Sequence, residues 1–369
     1  MAPLISIDAI HRHTSNRLDE NAIGGRSLAG IVGDGPSHYS KSPALWNAAF
    51  RHLAMNAVYL AFDVDDRRVR DLLRVLRDSE QFIGINVTVP HKVRVLDFLD
   101  DLNAGAARIH AVNTVVRTAH GRLIGYNTDG DGFIDSLLLP TPDAQHGFMQ
   151  SLDGIDVLLL GAGGAARAVA FHVSDHIGKG KLIISNRTVA AAQSLADEID
   201  KLGRQALAID EGSISTWAPK AGLIINSTTK GQGGIRKLGN GMATMLAPYS
   251  ALAPAHPPVL TANLGDRFEA QWNEAARSDI ETNNRRSETI AATIPAATRF
   301  YDLIYHPEET VFLRHGRASG HNTRNGKSMI VRQAVIAFCK RICQPQLAQL
   351  GKDNDATAAE VAGVMFRAW

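Results

Sequence analysis

The segment from Gly161 to Ala166 has the spacing G-x-G-x-x-A, which is typical of dinucleotide binding. Gly161 permits a tight turn, Gly163 lets a pyrophosphate approach the backbone, and Ala166 lets the next helix pack close to the sheet. An apolar strand precedes the segment and a helix of small residues follows it, as the motif requires. Because the free N–H groups at the start of that helix attract phosphate, the segment predicts a nucleotide-binding site.

The next predicted strand ends in Asn186-Arg187-Thr188 and offers no acidic residue for a ribose 2′-hydroxyl. A guanidinium at this point fits a 2′-phosphate, because it can donate two parallel hydrogen bonds to the phosphate oxygens. The segment therefore favours NADP over NAD. The alternative is that Arg187 is a surface arginine that contacts no ligand.

A second group of polar side chains follows a different predicted strand. Apolar and polar residues alternate from Ile85 to Val89, which is the period-2 pattern of a strand, and Pro90 ends it. Asn86, Thr88 and Lys92 are thereby brought to the carboxyl end of a strand, where ligands bind in open α/β sheets. The simpler interpretation is an ordinary turn between a strand and a helix, with a solvated lysine.

Other polar residues occupy similar positions along the chain. Ser40 and Ser42 lie in a turn-rich loop, Asn113 lies within a strand, Asp129 follows one, and Gln333 lies among apolar residues of a helix. Each has an ordinary explanation: the serines and Asp129 suit helix caps, and Gln333 suits a polar helix face. The alternative is that they face a ligand, and the sequence alone leaves both possibilities open.

Composition narrows the class of protein. A hydrophobic fraction of 45%, a charged fraction of 21% and a net charge of +2 are typical of a soluble globular protein and argue against nucleic acid as the main partner. The two cysteines, Cys339 and Cys343, match no zinc or redox spacing. His11 and His13 have no third ligand nearby, so we expect no metal site. With no apolar run before Ala22 and no membrane-length stretch, we expect a cytoplasmic protein that does not contact membranes.

The elements that must position these residues alternate between strands and helices, which predicts parallel α/β sheets, and the length suits two domains. Residues 1–26 are polar and lack periodicity, so we expect a flexible extension. Residues 231–297 are rich in Gly, Pro, Ala and Asn, and we interpret them as an insertion, partly mobile, with a possible strand from Val259 to Leu264 and a short helix from Phe268 to Ala276.

Taken together, the motifs resemble those of the shikimate dehydrogenase family, which includes quinate/shikimate dehydrogenases. The resemblance runs from about Leu28 to Phe338 and preserves the family order. It is carried by Ser40-Lys-Ser42-Pro, Gly84-Ile-Asn-Val-Thr-Val-Pro-His-Lys92, Ala111-Val-Asn113-Thr, Gly125-Tyr-Asn-Thr-Asp129-Gly, Gly161-Ala-Gly-Gly-Ala165, Asn186-Arg-Thr188, Tyr301-Asp-Leu-Ile-Tyr305-His-Pro and Asn325-Gly-Lys-Ser-Met329 through Gln333.

The resemblance implies two α/β domains with the active site in the cleft between them. A substrate-binding domain with a parallel or mixed sheet would comprise residues 27–128 and 324–369. A Rossmann domain would comprise residues 129–323, with the insertion at 231–297. The implied reaction is the reversible, NADPH-dependent reduction of 3-dehydroshikimate to shikimate, a step of aromatic amino acid biosynthesis. We expect a monomer or a homodimer.

The resemblance also implies roles for individual residues. Lys92 and Asp129 would be the catalytic pair, since hydride arrival at a carbonyl carbon leaves an oxygen that must be stabilised and protonated. The substrate would be bound by Ser40, Ser42, Thr88, Asn113, Tyr305 and Gln333. The cofactor would be bound by Gly161, Ala162, Gly163, Gly164, Ala165, Asn186, Arg187, Thr188, Leu303, Gly326 and Met329. Asn86 is expected to be structural.

Some features depart from the family pattern. Ser328 stands where a glycine is usual before Met329, and no second basic residue follows Thr188, where Val189 begins an uncharged run. The missing cation leaves NAD possible as a cofactor. The insertion at 231–297 and the N-terminal extension are unlike a compact housekeeping enzyme, so a relative that acts on quinate is an alternative. A non-catalytic relative that binds nucleotide or substrate is an alternative of a different class.

Overall fold

The computed structural model describes residues 5–19 and 21–369 and divides into two compact units. One unit runs to Gly147 and resumes at Ser328–Trp369, and the other is Phe148–Lys327. The strands are β1 (Ser27–Gly33), β2 (Ala57–Asp63), β3 (Phe82–Val87), β4 (Asp101–Leu102), β5 (Thr114–Arg117), β6 (Leu123–Tyr126), β7 (Val157–Leu160), β8 (Leu182–Ser185), β9 (Ala206–Ile209), β10 (Leu223–Asn226), β11 (Ile235–Lys237), β12 (Met242–Met245), β13 (Leu260–Thr261), β14 (Arg299–Asp302) and β15 (Thr323–Arg324).

Helices connect these strands and cover the sheets. They are α1 (Ile7–His11), α2 (Pro36–Tyr39), α3 (Ser42–His52), α4 (Val69–Arg77), α5 (His91–Arg94), α6 (Ala104–Ile109), α7 (Asp129–Leu138), α8 (Gly164–His176), α9 (Val189–Asp200), α10 (Ile214–Trp217), α11 (Phe268–Thr293), α12 (Val311–Ala318), α13 (Lys327–Ala337), α14 (Gln344–Gln349) and α15 (Asp355–Arg367). A π-helical turn, Phe338–Ile342, follows α13 directly.

The first unit is built on a mixed six-stranded sheet with the order β2-β1-β3-β5-β6-β4. Strand β1 is parallel to β2 and β3, whereas β5 is antiparallel to both β3 and β6. Alternate residues of β1 enter two different cores: Ala29 and Ile31 pack with Trp46, and Leu28 and Val32 pack on the opposite face. Apolar layers therefore cover both faces, as the fully buried β3 requires.

The second unit contains a six-stranded, wholly parallel sheet with the order β15-β14-β10-β7-β8-β9. When its six strands are numbered in chain order, the sheet has the order 6-5-4-1-2-3, which is that of a doubly wound nucleotide-binding sheet. Every residue of β7, β8 and β10 is buried. The predicted fold class, an α/β protein with a mixed sheet and a Rossmann sheet, is confirmed.

The domain boundaries differ from the expected ones. Contacts place α7 in the first unit, so the units part at Gly147 and Phe148 rather than at 128 and 129, and again at Ser328 rather than at 324. The physical reason is that α7 packs closely on α13, which belongs to the first unit from Ser328 onward. A Cβ at Gly132 of α7 would lie 2.6 Å from the Cβ and backbone N of Gln333 on α13.

Residues 1–26 were expected to form a flexible extension, but their described part packs on the first unit. Ile10 and Ile23 are 0% and 2% exposed and join the core that includes Leu28. The Asn16 side chain accepts a hydrogen bond from the backbone N of Asp63 at 2.8 Å and donates one to the Ala61 carbonyl at 2.9 Å. The segment therefore satisfies the open edge of β2, which the sequence pattern did not reveal.

The insertion at 231–297 also has more regular structure than expected. Strands β11, β12 and β13 form an antiparallel sheet, of which the expected strand supplies only Leu260–Thr261. The expected short helix is instead the 26-residue α11. This helix continues through the polar stretch from Asp279 to Glu288 and ends at Thr293. Asn283 explains the difference, because its buried amide bonds to Ser250 and to the Ala253 carbonyl and so allows a polar residue on the buried face.

Candidate functional site

Lys92 and Asp129 form an ion pair within the first unit, with 2.6 Å between the lysine Nζ and the Asp129 Oδ2. Strand β3 and the following turn carry Lys92 into α5, and β6 leads to Asp129, the first residue of α7. The helix N-terminus favours a carboxylate there. The two side chains are only 22% and 9% exposed, so the pair is held in a partly dehydrated setting where electrostatic interactions are strong.

Asn113 connects the ion pair to the rest of the site. Its Nδ2 donates to the second carboxylate oxygen of Asp129 at 2.8 Å and to Thr128 Oγ1 at 3.0 Å. Its Oδ1 accepts from the Thr128 backbone N at 2.8 Å and from the Thr114 hydroxyl at 2.9 Å. Because both ends of the amide are engaged, Asn113 fixes the orientation of the Asp129 carboxylate.

Gln333 lies on α13 at the same network. Its Oε1 lies 3.3 Å from both Asn113 Nδ2 and the Thr128 hydroxyl, and its Nε2 donates to the Ile330 carbonyl at 3.0 Å. It is buried, at 9% exposure, so the surface position that we left open is excluded. The absence of a side chain at Gly132 is what permits this close approach of α7 and α13.

A second chain of hydrogen bonds leads from Ser42 to Asn113. Ser42 is hydrogen-bonded to Tyr59, whose hydroxyl donates to Asn86 Oδ1 at 2.7 Å. The Asn86 amide donates to Thr114 Oγ1 at 3.0 Å, and Thr114 donates to Asn113. Burial raises the pKa of Tyr59 well above its ordinary value, so it stays a neutral donor. Tyr59 is not predicted at the site from sequence, because it looks like an ordinary apolar residue of β2.

Two other predicted substrate residues lie in the same unit. Ser40 is half-buried, and its hydroxyl accepts a hydrogen bond from the Ser42 backbone N at 3.2 Å. Thr88 is half-buried after β3, and its methyl group packs so closely on Gly33 that a Cβ there would lie 2.3 Å from it. Ser42 itself is buried at 7% exposure, which leaves Ser40 and Thr88 as the more accessible hydroxyls.

The glycine motif of the second unit has the geometry that phosphate binding needs. Gly161 turns the chain with φ of 110°, and a Cβ there would lie 2.7 Å from the Ser227 hydroxyl. Gly163 and Gly164 are exposed, and a Cβ at either would meet nothing within 4 Å, so the start of α8 faces open space. Ala162 and Ala165 complete the turn, and Ala166 is fully buried against the sheet. The residues present therefore fit a dinucleotide pyrophosphate.

Arg187 is exposed at the start of α9, between Asn186 and Thr188. The Asn186 amide donates to the Thr188 carbonyl at 3.0 Å and so fixes the turn that presents the guanidinium. Lys230 does not replace the cation that is missing after Thr188, because its ammonium donates to Glu211 at 2.8 Å. Burial lowers the pKa of Lys230, Glu211 raises it, and Arg187 lowers it further.

The remaining predicted residues are split between the units. Leu303 and Gly326 are in contact in the second unit, where a Cβ on Gly326 would lie 2.0 Å from the Leu303 carbonyl oxygen. Tyr305 lies two residues after Leu303, and burial raises the pKa of its phenol. Met329 is buried in the first unit. Ser328, the departure from the family pattern, has a buried hydroxyl with no hydrogen-bond partner among the described residues.

Asp302, the last residue of β14, bonds to Asn226, the last residue of β10, at the carboxyl edge of the parallel sheet. Its carboxyl group accepts hydrogen bonds from the Asn226 amide, the Ile304 backbone N and the Thr310 hydroxyl at 3.0, 2.9 and 2.6 Å. Complete burial nevertheless raises its pKa from the ordinary 3.8 to about 7, against the lowering effect of these three donors. Asp302 therefore takes up a proton on folding near neutral pH.

This shift predicts a pH-dependent stability that Asp302→Asn should remove. Between pH 4 and pH 7 the folded protein holds a proton that the unfolded chain has released, so this contribution to stability decreases as pH rises and is constant above pH 7. The free energy of unfolding of the wild type, measured relative to that of the variant, should fall by about 3 kcal/mol between pH 5 and pH 8. Urea unfolding of both proteins across this range measures the difference. A constant difference would show that Asp302 is ionised throughout.

Among residues 5–19 and 21–369, no cluster of three or more His, Cys, Asp or Glu side chains could hold a metal ion. In the same part of the chain, every helix is too short or too polar to cross a bilayer. Burial raises the pKa of Cys339 to about 12 and that of Cys343 well above its ordinary value, as expected for structural thiols.

The sequence matches two family models. The first, described as the shikimate dehydrogenase substrate-binding domain, matches residues 31–115, and the second, described as shikimate / quinate 5-dehydrogenase, matches residues 143–242. Among curated proteins, shikimate dehydrogenase (NADP(+)) of Carboxydothermus hydrogenoformans is 36% identical over 86% of this chain and 92% of its own length. The protein of the same name from Methanopyrus kandleri is 34% identical over 85% and 89%.

Solved structures give the same result at lower identity. Shikimate 5-dehydrogenase of Thermus thermophilus, in complex with NADP(H) and shikimate, matches with a TM-score of 0.62 at 26% identity, covering 93% of this chain and 99% of its own. Quinate dehydrogenase from Corynebacterium glutamicum in complex with NAD has the same values. The 5-ketofructose reductase of a Gluconobacter strain has a TM-score of 0.64 at 26% identity, covering 94% and 100%.

The resemblance inferred from the motifs is thus confirmed by relatives that match along most of their length and of this chain. The two family models also fall on the two structural units, the first on the mixed sheet and the second mainly on the parallel sheet. The chain belongs to the shikimate dehydrogenase family.

Proposed function

We propose that this protein catalyses the reversible, NADP-dependent interconversion of shikimate and 3-dehydroshikimate, with Lys92 and Asp129 as the catalytic pair. The observation that carries the proposal is the ion pair itself. Its 2.6 Å contact is held in place by Asn113, which is in turn fixed by Thr128 and lies beside Gln333. The network holds the carboxylate in one orientation against the ammonium, as a proton transfer at a fixed position requires.

The residues divide the task in the following way. Lys92 donates a proton to the substrate oxygen as the carbonyl is reduced, and takes it back in the oxidation. Asp129 holds the ammonium group in position and balances its charge. Thr88, Asn113 and Gln333 bind ring hydroxyls, while Ser40, Ser42 and Tyr305 bind the carboxylate.

The cofactor supplies or accepts the hydride, and this chain supplies the binding site for it. The turn from Gly161 to Ala165 holds the pyrophosphate at the start of α8, and Asn186, Arg187 and Thr188 hold the adenosine 2′-phosphate. Leu303, Gly326 and Met329 bind the nicotinamide end.

The direct test is to mix the protein with NADP and shikimate and follow the absorbance of the reduced nicotinamide. We expect a steady increase that depends on both substrates. No increase with shikimate or quinate, with either nicotinamide cofactor, would favour a non-catalytic relative.

Quinate with NAD is the second candidate, and a specific feature favours its cofactor. Val189 begins α9 directly after Thr188, so a single cation, Arg187, is left for the 2′-phosphate. A panel of shikimate and quinate, each with NAD and with NADP, compares the four values of kcat/KM. We expect shikimate with NADP to be highest.

Arg187→Ala tests the cofactor assignment separately. A guanidinium bonded to a phosphate contributes enough that its loss should raise KM for NADP by roughly 10- to 100-fold. KM for NAD, which has no 2′-phosphate, should be unchanged, and kcat at saturating NADP should be retained. Lys201→Ala, an exposed lysine at the other end of the same helix, is the matched control. Equal effects on NAD and NADP would refute the 2′-phosphate role.

A further inference from the structure

A cavity of about 270 Å³ lies among the C-terminal helices of the first unit, and no residue of the site described above lines it. Its lining carries charges of both signs: Lys340, Arg341 and Lys352 are cationic, and Asp353 and Asp355 are anionic. Within the described residues, none of these five side chains is in an ion pair. The cavity therefore presents opposite charges that do not neutralise each other directly.

Arg341 is the most constrained of these residues. It belongs to the π-helical turn Phe338–Ile342, and such turns are frequent at functional sites. Its guanidinium lies 4.9 Å from the ring centre of Tyr126, and one Nη donates to the Lys340 carbonyl at 2.9 Å. Its Nε is buried and has no hydrogen-bond partner among the described residues. Because the Nε has almost no accessible surface, a ligand in the cavity would have to bond to the Nη groups of the guanidinium.

Both signs of charge act at the wall of the cavity. The buried Cys339 thiol lies there, and its raised pKa, which is due first to burial, is lowered by Lys340 and raised by Asp353. A simple anion would be repelled by the two aspartates, and a simple cation by the three basic residues. A ligand that carries one charge of each sign satisfies both sets.

We propose that this cavity binds a small zwitterion, a free α-amino acid, with its carboxylate toward Lys340 and Arg341 and its ammonium group toward Asp353 and Asp355. The volume of about 270 Å³ suits a ligand as small as an amino acid, because cavities for larger, drug-sized ligands begin at about 300 Å³. The side chain of the amino acid would lie against Cys339 and Ala358.

Two elements of the catalytic network adjoin residues that line this cavity, so that occupancy would affect catalysis. Tyr126, under the Arg341 guanidinium, ends β6, and its carbonyl accepts from the Asn113 backbone N at 3.0 Å. The helix that carries Gln333 continues directly into the π-helical turn. A ligand that draws Arg341 toward its carboxylate would shift both elements and change KM for shikimate, a consequence that rests on the proposed function.

Binding is tested without reference to activity. Each of the twenty free L-amino acids, at about 10 mM, is added to the full-length protein, and binding is measured by saturation-transfer NMR and by the shift in melting temperature. Inorganic phosphate and methylammonium, which carry charge of one sign only, are the control probes. We expect at least one amino acid to bind more tightly than either probe. Lys340→Gln and Asp353→Asn should each weaken it by about five-fold or more, and Lys179→Gln, an exposed lysine of the other unit, should not.

Three results would overturn the proposal: no amino acid binds, phosphate alone binds as tightly, or both substitutions leave binding unchanged. The effect on KM for shikimate is then measured with the amino acid that binds. An unchanged KM would refute the coupling. Binding without any dehydrogenase activity would instead refute the proposed function and leave the zwitterion site standing.

Discussion

Lys92→Ala is expected to lower kcat for shikimate oxidation by roughly 10³-fold, within the range of losses seen when a general acid or base is removed. The ammonium lies 2.6 Å from Asp129 Oδ2, and alanine leaves no group there to exchange a proton with the substrate oxygen. KM for shikimate should change much less, because Ser40, Thr88 and Gln333 remain to bind it. Steady-state rates at saturating shikimate and NADP measure both quantities.

Two controls separate chemistry from folding. Lys201→Ala removes an exposed lysine of the second unit and should leave kcat unchanged. Thermal melting of Lys92→Ala should show a folded protein, since Asp129 keeps its hydrogen bond from Asn113 and its favourable position at the start of α7. A folded variant with wild-type kcat would refute the role of Lys92.

Asp129→Asn is expected to lower kcat by roughly 10²-fold in the wild-type background and by far less in the Lys92→Ala background. Asparagine keeps the shape of the side chain and can still accept a hydrogen bond from Asn113, but it has no charge to hold the ammonium. If the two residues act as one catalytic unit, Asp129→Asn lowers kcat little further once Lys92 has been replaced. The four values of kcat in this double-mutant cycle are the measurement.

The cycle also tests the alternative that Asp129 has only a structural role at the start of α7, where Thr128 is the N-cap. A carboxylate in the first turn interacts favourably with the helix dipole, so Asp129→Asn would then lower the melting temperature slightly and leave kcat near the wild-type value. Independent, multiplicative losses in kcat would contradict the coupled pair in a different way. Asp8→Asn, at the first turn of α1, is a matched control for removing an acid from a helix start.

The backbone geometry of the glycine motif could be predicted almost completely from sequence. The positions of Gly161, Gly163 and Ala166 are fixed by backbone geometry, since a tight turn, an approaching pyrophosphate and a helix close to a sheet each exclude larger side chains. These requirements are local, and the structure shows φ of 110° at Gly161 and open space at Gly163. The alternation of strands and helices was sufficient for the fold class.

Residues that act across long separations in the chain could be recognised only by resemblance. Asn113 and Gln333 are 220 positions apart, and each alone suggested either an ordinary polar residue or a ligand contact. Tyr59 was missed, and the helix that contains Asn283 was expected to be too short, because the hydrogen-bond partners of both side chains lie on elements that no local pattern identifies. The apolar pattern of α11 is interrupted by polar residues because Asn283 has hydrogen-bond partners on a distant part of the chain.

The sequence by itself determined where the chain turns, which strands are buried and where a phosphate can approach, because those properties depend on a few neighbouring residues. Only the tertiary structure decided that α7 belongs with the substrate-binding unit, that Gln333 is buried and that Asn113 orients Asp129. Buried polar groups must find partners, and the folded chain chooses those partners by proximity in space rather than in sequence.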